Sequence, residues 1–193
     1  MHRAKAVADV DVTGDMPESA PVPALLRQDA CLVVLGSRGL GGFGGLLLGS
    51  TAVQVAAHAR CPVVVVRGER SGDVVVGVDG SAHSVEAIAF AFGEAQRLGA
   101  GVVAVTAGSQ EDEAARALAE SVAGWAERYP DVPVRRSVVR GHAARALVDA
   151  AADAALLVVG SRGAGGFRGM LLGSVSQGVL HHATCPVAIV RSP

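Results

Sequence analysis

Two glycine-rich segments of the chain have the residue types and the spacing needed to hold a phosphate group. The second segment reads Gly160, two residues, Gly163, nine residues and then Gly173-Ser174. A glycine lets a ligand approach the backbone closely because it has no side chain. A helix that begins at Gly173-Ser174 would present free backbone N–H groups and its positive dipole end to an anion. The segment therefore predicts a phosphate site made chiefly of backbone donors.

Two side chains of this segment can add to such a site. The hydroxyl of Ser174 can cap the helix or donate to a phosphate oxygen. Arg162 can pair with a phosphate, although a solvated loop arginine fits the sequence equally well. Neither glycine segment is followed by the lysine of a Walker A motif, and the sequence shows no nucleophile marked by a neighbouring base. We therefore expect a binding protein and not an enzyme, with no metal site built from side chains.

The glycine-rich segment occurs twice in the sequence. Residues 36–67 reappear 124 residues later as residues 160–191, and 20 of the 32 aligned positions are identical. Self-similarity of this extent indicates a duplication. Each copy reads as a strand, a glycine-rich loop, a helix and a second strand.

The two copies are not equally complete. Residues 73–128, which precede the second glycine loop, have no counterpart before the first. We therefore predict an incomplete N-terminal copy, residues 1–68, and a complete domain, residues 73–193, with one competent site at most. The first copy keeps the glycines and the serine of the pattern, namely Gly36, Gly39, Gly49 and Ser50.

The complete copy alternates predicted strands and helices with short connections. This alternation predicts an α/β fold, a doubly wound, Rossmann-like sheet of five parallel strands in the order 3-2-1-4-5. Right-handed crossovers bring the loops that follow the strands to one edge of the sheet, where ligands bind. The predicted strands are Asp73–Val78, Val102–Thr106, Val134–Val139, Leu156–Val159 and Val187–Val190, and the predicted helices before the glycine loop are Ala82–Leu98, Glu111–Arg128 and Ala143–Ala152.

Composition limits the partners of the chain. Half of the 193 residues are hydrophobic, 3% are aromatic, and the formal net charge is −1. The core is therefore expected to be aliphatic, as in parallel sheets between helices. No dense basic run favours nucleic acid or an anionic membrane, and no segment approaches the ~20 apolar residues of a membrane span. We expect a cytoplasmic protein with neither nucleic-acid nor membrane partners.

The residues at both ends of the complete copy resemble the universal stress protein family. Its nucleotide-binding members share the Gly-x2-Gly-x9-Gly-Ser/Thr pattern and an opening strand that ends in Val-Asp-Gly-Ser, here Val78-Asp79-Gly80-Ser81. The closing run Cys185-Pro186-Val187-Ala188-Ile189-Val190-Arg191 is also typical of the family. The resemblance covers the whole of residues 73–193 and, as a truncated copy, residues 1–68.

This resemblance implies a role in stress response and an adenine nucleotide as ligand, ATP alone or with Mg²⁺. It places Val78 and Asp79 beside the adenine or the ribose, and Thr106 and Ala107 at the border of the base. It surrounds the phosphates with the residues of the second glycine segment, namely Gly160, Arg162, Gly163, Gly173, Ser174 and Val175. From the residues alone, Asp79 could equally be a turn former.

The resemblance also implies an assembly. Members of the family commonly pair through their last strands, so we expect either a homodimer or a pseudo-dimer within the chain, through Val63–Val66 and Val187–Val190. Two functions remain open at this point. In the first, the complete copy binds ATP, and binding changes its assembly or its partner contacts during stress. In the second, the protein is an interaction or dimerisation module that works without a nucleotide.

Overall fold

The computed structural model describes residues 11–37, 48–68, 72–165 and 171–192. Across these ranges the chain forms seven strands and six helices, and a helix separates successive strands everywhere except between the second and the third. The strands are β1 (Val33–Gly36), β2 (Val63–Val66), β3 (Val74–Gly77), β4 (Val102–Ala107), β5 (Val134–Val139), β6 (Leu156–Gly160) and β7 (Val187–Val190). The helices are α1 (Pro21–Leu26), α2 (Ser50–His58), α3 (Ala82–Leu98), α4 (Glu111–Arg128), α5 (Ala143–Ala150) and α6 (Ser174–His182).

The strands form one sheet in the order β1-β2-β7-β6-β3-β4-β5. Within the complete copy, β3 lies between β4 and β6, and the five strands from β3 to β7 run parallel. Numbered within that copy, their order is 3-2-1-4-5. The predicted α/β fold with a doubly wound sheet is therefore confirmed.

The sheet differs from the prediction in one detail, because it has seven strands in the described residues and not five. Strands β1 and β2 of the incomplete copy pair in parallel, and β2 pairs antiparallel with β7. The pairing joins Val63 to Ile189 and Val65 to Val187, with Val64 opposite Ala188. Val64 and Ala188 occupy matching repeat positions, and the repeat exchanges the other two pairs, since Val63 matches Val187 and Val65 matches Ile189. A local two-fold axis therefore passes through the pair Val64–Ala188. The contact expected between the last strands is thus made within one chain.

The boundary predicted between the two copies stays a prediction. Residues 69–71 lie outside the described ranges, as do residues 1–10 at the start of the first copy. The two copies share a continuous core, in which Val55 and Val63 of the first copy and Val179 and Val187 of the second are fully or almost fully buried.

Two apolar layers cover the two faces of the sheet because successive strand residues point to opposite sides. One layer packs α2, α5 and α6 against side chains such as Val75 and Leu157. The other packs α3 and α4 against side chains such as Val76 and Val158. None of the helices in the described ranges combines the length and the hydropathy needed to cross a bilayer.

Helix α3 has the boundaries that the sequence predicts. Its N-cap is Ser81, whose side-chain oxygen accepts a hydrogen bond from Ser84 N at 3.2 Å. It ends at Gly99, which adopts a left-handed conformation with φ +63° that glycine tolerates better than other residues. The cap at Ser81 fixes the turn after β3, and this turn carries Asp79.

Candidate functional site

A cavity of about 570 Å³ opens at the carboxyl ends of β3, β4 and β6, between the sheet and helices α5 and α6. Its walls include nine of the ten residues predicted for the nucleotide site, which come from four separate parts of the complete copy. These nine are Val78, Asp79, Ala107, Gly160, Arg162, Gly163, Gly173, Ser174 and Val175.

Thr106 is the predicted residue that does not line this cavity. In β4, Val105 and Ala107 belong to the face on which the cavity lies. Because strand residues alternate between faces, the side chain of Thr106 belongs to the opposite face, as does Ala104 in the layer beneath α3 and α4. The expectation that Thr106 borders the base therefore needs correction as far as its side chain is concerned.

One wall of the cavity is apolar. It contains Val105 of β4, Val139 of β5, Leu147 of α5 and Val159 of β6. Sequence reasoning missed Val139 and Leu147 because apolar residues in a strand or on a helix face are typical of a core. Gly77 gives this wall its depth, since a Cβ there would lie 3.0 Å from Leu147 Cδ1 and 3.3 Å from Val159 Cγ1.

Asp79 connects the turn after β3 to the glycine loop. Its Oδ1 accepts hydrogen bonds from Ser81 N at 3.0 Å and from Ser81 Oγ at 2.6 Å, and its Oδ2 accepts one from Ala164 N at 2.8 Å. Burial opposes ionisation of this carboxyl, but the hydrogen bonds from Ser81 and Ala164 outweigh it and hold the pKa of Asp79 below its ordinary value. An ionised carboxylate therefore stands at the mouth of the cavity and holds the loop.

Gly163 makes this contact possible. A Cβ on Gly163 would lie 2.5 Å from Asp79 Oδ2, in the place where the carboxylate now meets Ala164 N. A larger residue would therefore push the aspartate and the loop apart. The structure thus gives Gly163 a role in positioning Asp79 in addition to the predicted role beside the phosphates.

Gly160 serves the packing of the domain as well as the cavity wall. It ends β6, and a Cβ there would lie 2.8 Å from His83 Cβ and 2.9 Å from the backbone C and O atoms of His83. Helix α3 therefore approaches the strand end so closely that only glycine fits. This requirement was not foreseen, because nothing in the sequence shows which helix crosses over Gly160.

The first turn of α6 forms another side of the cavity through Gly173, Ser174 and Val175. The N-cap is Gly173, and no side chain caps the helix, so the predicted capping role of Ser174 is wrong. Ser174 is the first helical residue, and its side chain is exposed. The backbone N–H groups of this turn have no acceptor within the helix and are aligned with its positive dipole end.

Ser176 is a site residue that the sequence did not reveal. Its buried Oγ donates to Gly160 O at 2.7 Å and lies 3.1 Å from Ser161 O. It thereby ties the first turn of α6 to the end of β6. A serine two residues after the Gly-Ser pair offers no distinctive pattern, and the matching residue of the first copy is Ala52.

Positive charge accumulates at the loop end of the cavity. Arg162 lines the cavity and is partly buried, and its Nε has no hydrogen-bond partner among the described residues. Burial, followed by the positive charges of Arg162 and Arg191, lowers the pKa of the neighbouring His83. The arrangement favours a negatively charged group at this end.

The glycine loop of the first copy keeps the same geometry where the structure describes it. Gly49 N donates to Ser37 O at 2.7 Å, just as Gly173 N donates to Ser161 O at 2.8 Å. Helix α2 begins at Ser50 with Gly49 as its N-cap, as α6 begins at Ser174 with Gly173. Gly39 of the predicted pattern lies outside the described residues. The loop ends are thus duplicated, but the first copy offers no aspartate in the place of Asp79 within its described part.

Known proteins are similar to this chain in sequence. Residues 3–67 and 107–191 match the universal stress protein family. Two universal stress proteins of Mycobacterium tuberculosis are 43% and 42% identical to the chain, over 94% and 93% of its length. The chain belongs to the universal stress protein family. It spans 70% and 68% of the length of these two relatives.

Solved structures of universal stress proteins share the fold. One from Archaeoglobus fulgidus DSM 4304 has a TM-score of 0.71 at 22% identity, over 94% of this chain and 68% of that chain. Another, solved in complex with cAMP, has a TM-score of 0.54 at 29% identity, over 65% of this chain and 100% of that chain. The resemblance stated from the motifs is therefore confirmed at the level of family and fold.

Proposed function

We propose that the complete copy of this universal stress protein binds an adenine nucleotide, with ATP as its ligand. One observation carries the proposal: a single cavity joins an apolar wall to a glycine loop and a helix N-terminus. The volume of about 570 Å³ lies within the range of small-molecule sites. A nucleotide has the same two-part chemistry, with an apolar base at one end and phosphates at the other.

The base belongs at the apolar wall. The side chains of Val105, Val139 and Leu147 are aliphatic and uncharged, and they can pack against the flat face of a purine. Asp79 stands between this wall and the glycine loop, and an ionised carboxylate accepts hydrogen bonds but donates none. It therefore selects a ligand that donates at this point, as the hydroxyls of a ribose or the amino group of adenine do.

The phosphates belong at the loop end. The N–H groups of Ser174 and Val175 lie in the first turn of α6, and Arg162, which also lines the cavity, supplies positive charge. Asp79 is the one carboxylate among the described residues that line the cavity, so a Mg²⁺ ion would arrive with the phosphates. The relative solved with cAMP, at 29% identity, supports an adenine nucleotide as the class of ligand.

Binding would act through assembly and not through catalysis. The cavity shares helix α6 with the layer that joins the two copies, so a ligand that orders the glycine loop would affect the same layer. We propose that the protein works in this way in the cytoplasm during stress. Its response would be a change in dimerisation or in contacts with partner proteins.

A second candidate is an interaction module that works without a nucleotide. The observation in its favour is that both carboxylate oxygens of Asp79 already have partners within the protein. In that case the glycine loop would hold its structure without a ligand, and the strand pairing between the two copies would be the functional feature.

Calorimetric titration with ATP, ADP and cAMP separates the two candidates. We expect the unmodified protein to bind, and we expect binding to be lost in Asp79→Ala and in Gly163→Val, whose side chain would meet the Asp79 carboxylate. Gly39→Val, at the matching position of the first copy, is the control and should bind as the unmodified protein does.

The absence of binding heat from the unmodified protein with all three nucleotides would exclude the proposal and leave the interaction module. Equal loss of binding in Gly39→Val and Gly163→Val would show that the effect does not come from the site in the complete copy.

A further inference from the structure

Two arginines at matching positions of the repeat bind across the junction between the copies. Arg67 follows β2, and its Nη1 donates to Leu180 O at 2.9 Å and to Ala183 O at 3.1 Å, at the carboxyl end of α6. Arg191 follows β7, and its Nη2 donates to Ala57 O at 2.7 Å, at the carboxyl end of α2. Each copy therefore binds the end of the helix that follows the other copy's glycine loop.

Arg67 is well placed to fix the end of α6. The last carbonyls of a helix accept no hydrogen bond from within the helix, and the helix dipole favours a cation beside them. The guanidinium is partly buried, burial lowers the pKa of Arg67, and Nε and Nη2 have no hydrogen-bond partner in the described residues. Because the group is enclosed, the two bonds to α6 set its position.

The backbone after Arg67 adds a second contact to the same place. Gly68 has φ +60°, and a Cβ on it would lie 2.6 Å from Thr184 O, just beyond α6. The segment Arg67-Gly68 thus lies directly against the turn between α6 and β7. Both contacts come from the incomplete copy, and both act on the complete one.

The other end of α6 is the phosphate end of the cavity. The helix has nine residues, of which Ser174, Val175 and Ser176 line the cavity and His182 is the last. A helix of this length moves as a rigid body, so a shift at its carboxyl end carries over to its first turn. The reciprocal bond of Arg191 holds α2, whose first turn faces no aspartate within the described part of the first copy.

We infer that Arg67, a residue of the incomplete copy, positions helix α6 and thereby sets the nucleotide affinity of the complete copy. The incomplete copy is then a working part of the site. The expected change in ATP affinity rests on the proposed function. The expected change in the hydrogen exchange of α6 does not depend on it.

The test combines calorimetry with ATP and amide hydrogen exchange on the full chain. We expect Arg67→Ala to weaken ATP binding about tenfold, a moderate coupling between separate parts of a protein. We expect the amides from Gln177 to His182, which are hydrogen-bonded within α6, to exchange about tenfold faster, while those of α4 stay unchanged. Arg67→Lys, which keeps a donor, should recover part of both effects.

Arg60→Ala is the matched control. Arg60 also belongs to the first copy, where it lies between α2 and β2; it is exposed, and its loss changes the net charge equally. It should bind ATP and exchange as the unmodified protein does. If Arg67→Ala does not fold, the same comparison is made with Arg67→Lys, whose affinity should lie below that of Arg60→Ala.

The results separate this inference from the proposed function. If the unmodified protein does not bind ATP, the proposed function fails, and unchanged exchange in α6 of Arg67→Ala would then overturn the positioning role as well. If the unmodified protein binds and Arg67→Ala binds equally well, the positioning role is wrong and the function stands. Faster exchange spread evenly over α4 and α6 would show general destabilisation and also contradict it.

Discussion

Val34 and Val158 occupy the same position in the two copies of the repeat, yet Val34 is 57% exposed and Val158 is fully buried. The difference comes from their neighbours. Val158 pairs with Val76 of β3 and lies beneath α3, whereas the described residues of the first copy offer no counterpart of β3 or α3. Similar sequences thus form one strand in the centre of a sheet and one at its edge.

The same comparison explains why only one copy has a complete site. Both copies hold the ends of the glycine loop with the same backbone bonds. In the complete copy, however, β3 and its turn supply Asp79, and β4 and α5 supply the apolar wall. The glycine loop can be duplicated by itself, but a ligand site needs the elements that surround it.

The largest expected difference between the copies is at the glycine that ends the strand before the loop. Gly160→Ala should lower the free energy of unfolding by about 3 kcal/mol, because the added methyl would overlap backbone and Cβ atoms of His83. Gly36→Ala in the first copy is the matched variant and should cost well under half of this, since Gly36 is exposed. Urea unfolding of both variants provides the measurement, and equal costs would contradict the comparison.

A somewhat smaller difference is expected at the valines themselves. Val158→Ala removes two methyl groups from a fully buried side chain and should cost about 2 kcal/mol. Val34→Ala removes the same groups from a side chain that is 57% exposed and should stay within about 0.5 kcal/mol. Thermal and urea unfolding can be compared directly. A large loss in Val34→Ala would mean that the edge strand is covered in solution.

Ser176 distinguishes the copies by a single hydroxyl. Ser176→Ala gives the complete copy the residue found at position 52 and removes the hydrogen bond to Gly160 O. We expect a loss of about 1 kcal/mol in unfolding free energy, typical of one buried hydrogen bond. The strand end and α6 should also exchange amide hydrogens faster. Unchanged stability would show that the carbonyl finds water or another donor.

The smallest effect concerns pH and depends on Asp79. Because the folded protein holds the pKa of Asp79 below its ordinary value, the ionised carboxylate stabilises the fold above about pH 4, and this contribution is lost as the pH falls through the lowered pKa. Asp79→Asn should therefore lose less stability than the unmodified protein between pH 7 and pH 3. Urea midpoints at the two pH values test this, and identical losses would contradict it.

The order of elements in the complete copy could be predicted from local patterns. Helices Ala82–Leu98 and Glu111–Arg128 have the predicted boundaries because a cap, a left-handed glycine or an acidic first turn marks their ends. The strands are short runs rich in valine, and they lie between these helix-end signals. Once the alternation is known, the rules for parallel crossovers leave few possible orders.

The rest depends on contacts between distant residues. Val139 and Leu147 form part of the apolar wall, but apolar residues of this kind are equally typical of a core. The close approach of His83 to Gly160 follows from the path of α3. The side-chain direction of Thr106 depends on a one-residue register that the sequence left open. Ser174 resembles a cap, but the backbone assigns that position to Gly173.

The junction between β2 and β7 has a consequence for the order of synthesis. The two strands are separated by about 120 residues, so β2 leaves the ribosome long before its partner exists. At ordinary rates of translation of 5–20 residues per second this interval lasts roughly 6–24 seconds. During that time the valines of β2 have no β7 beside them, and the complete domain must deliver its last strand before the sheet can close. Until β7 is made, the edge of β2 that it covers stays unpaired, and an unpaired strand edge can pair with another chain.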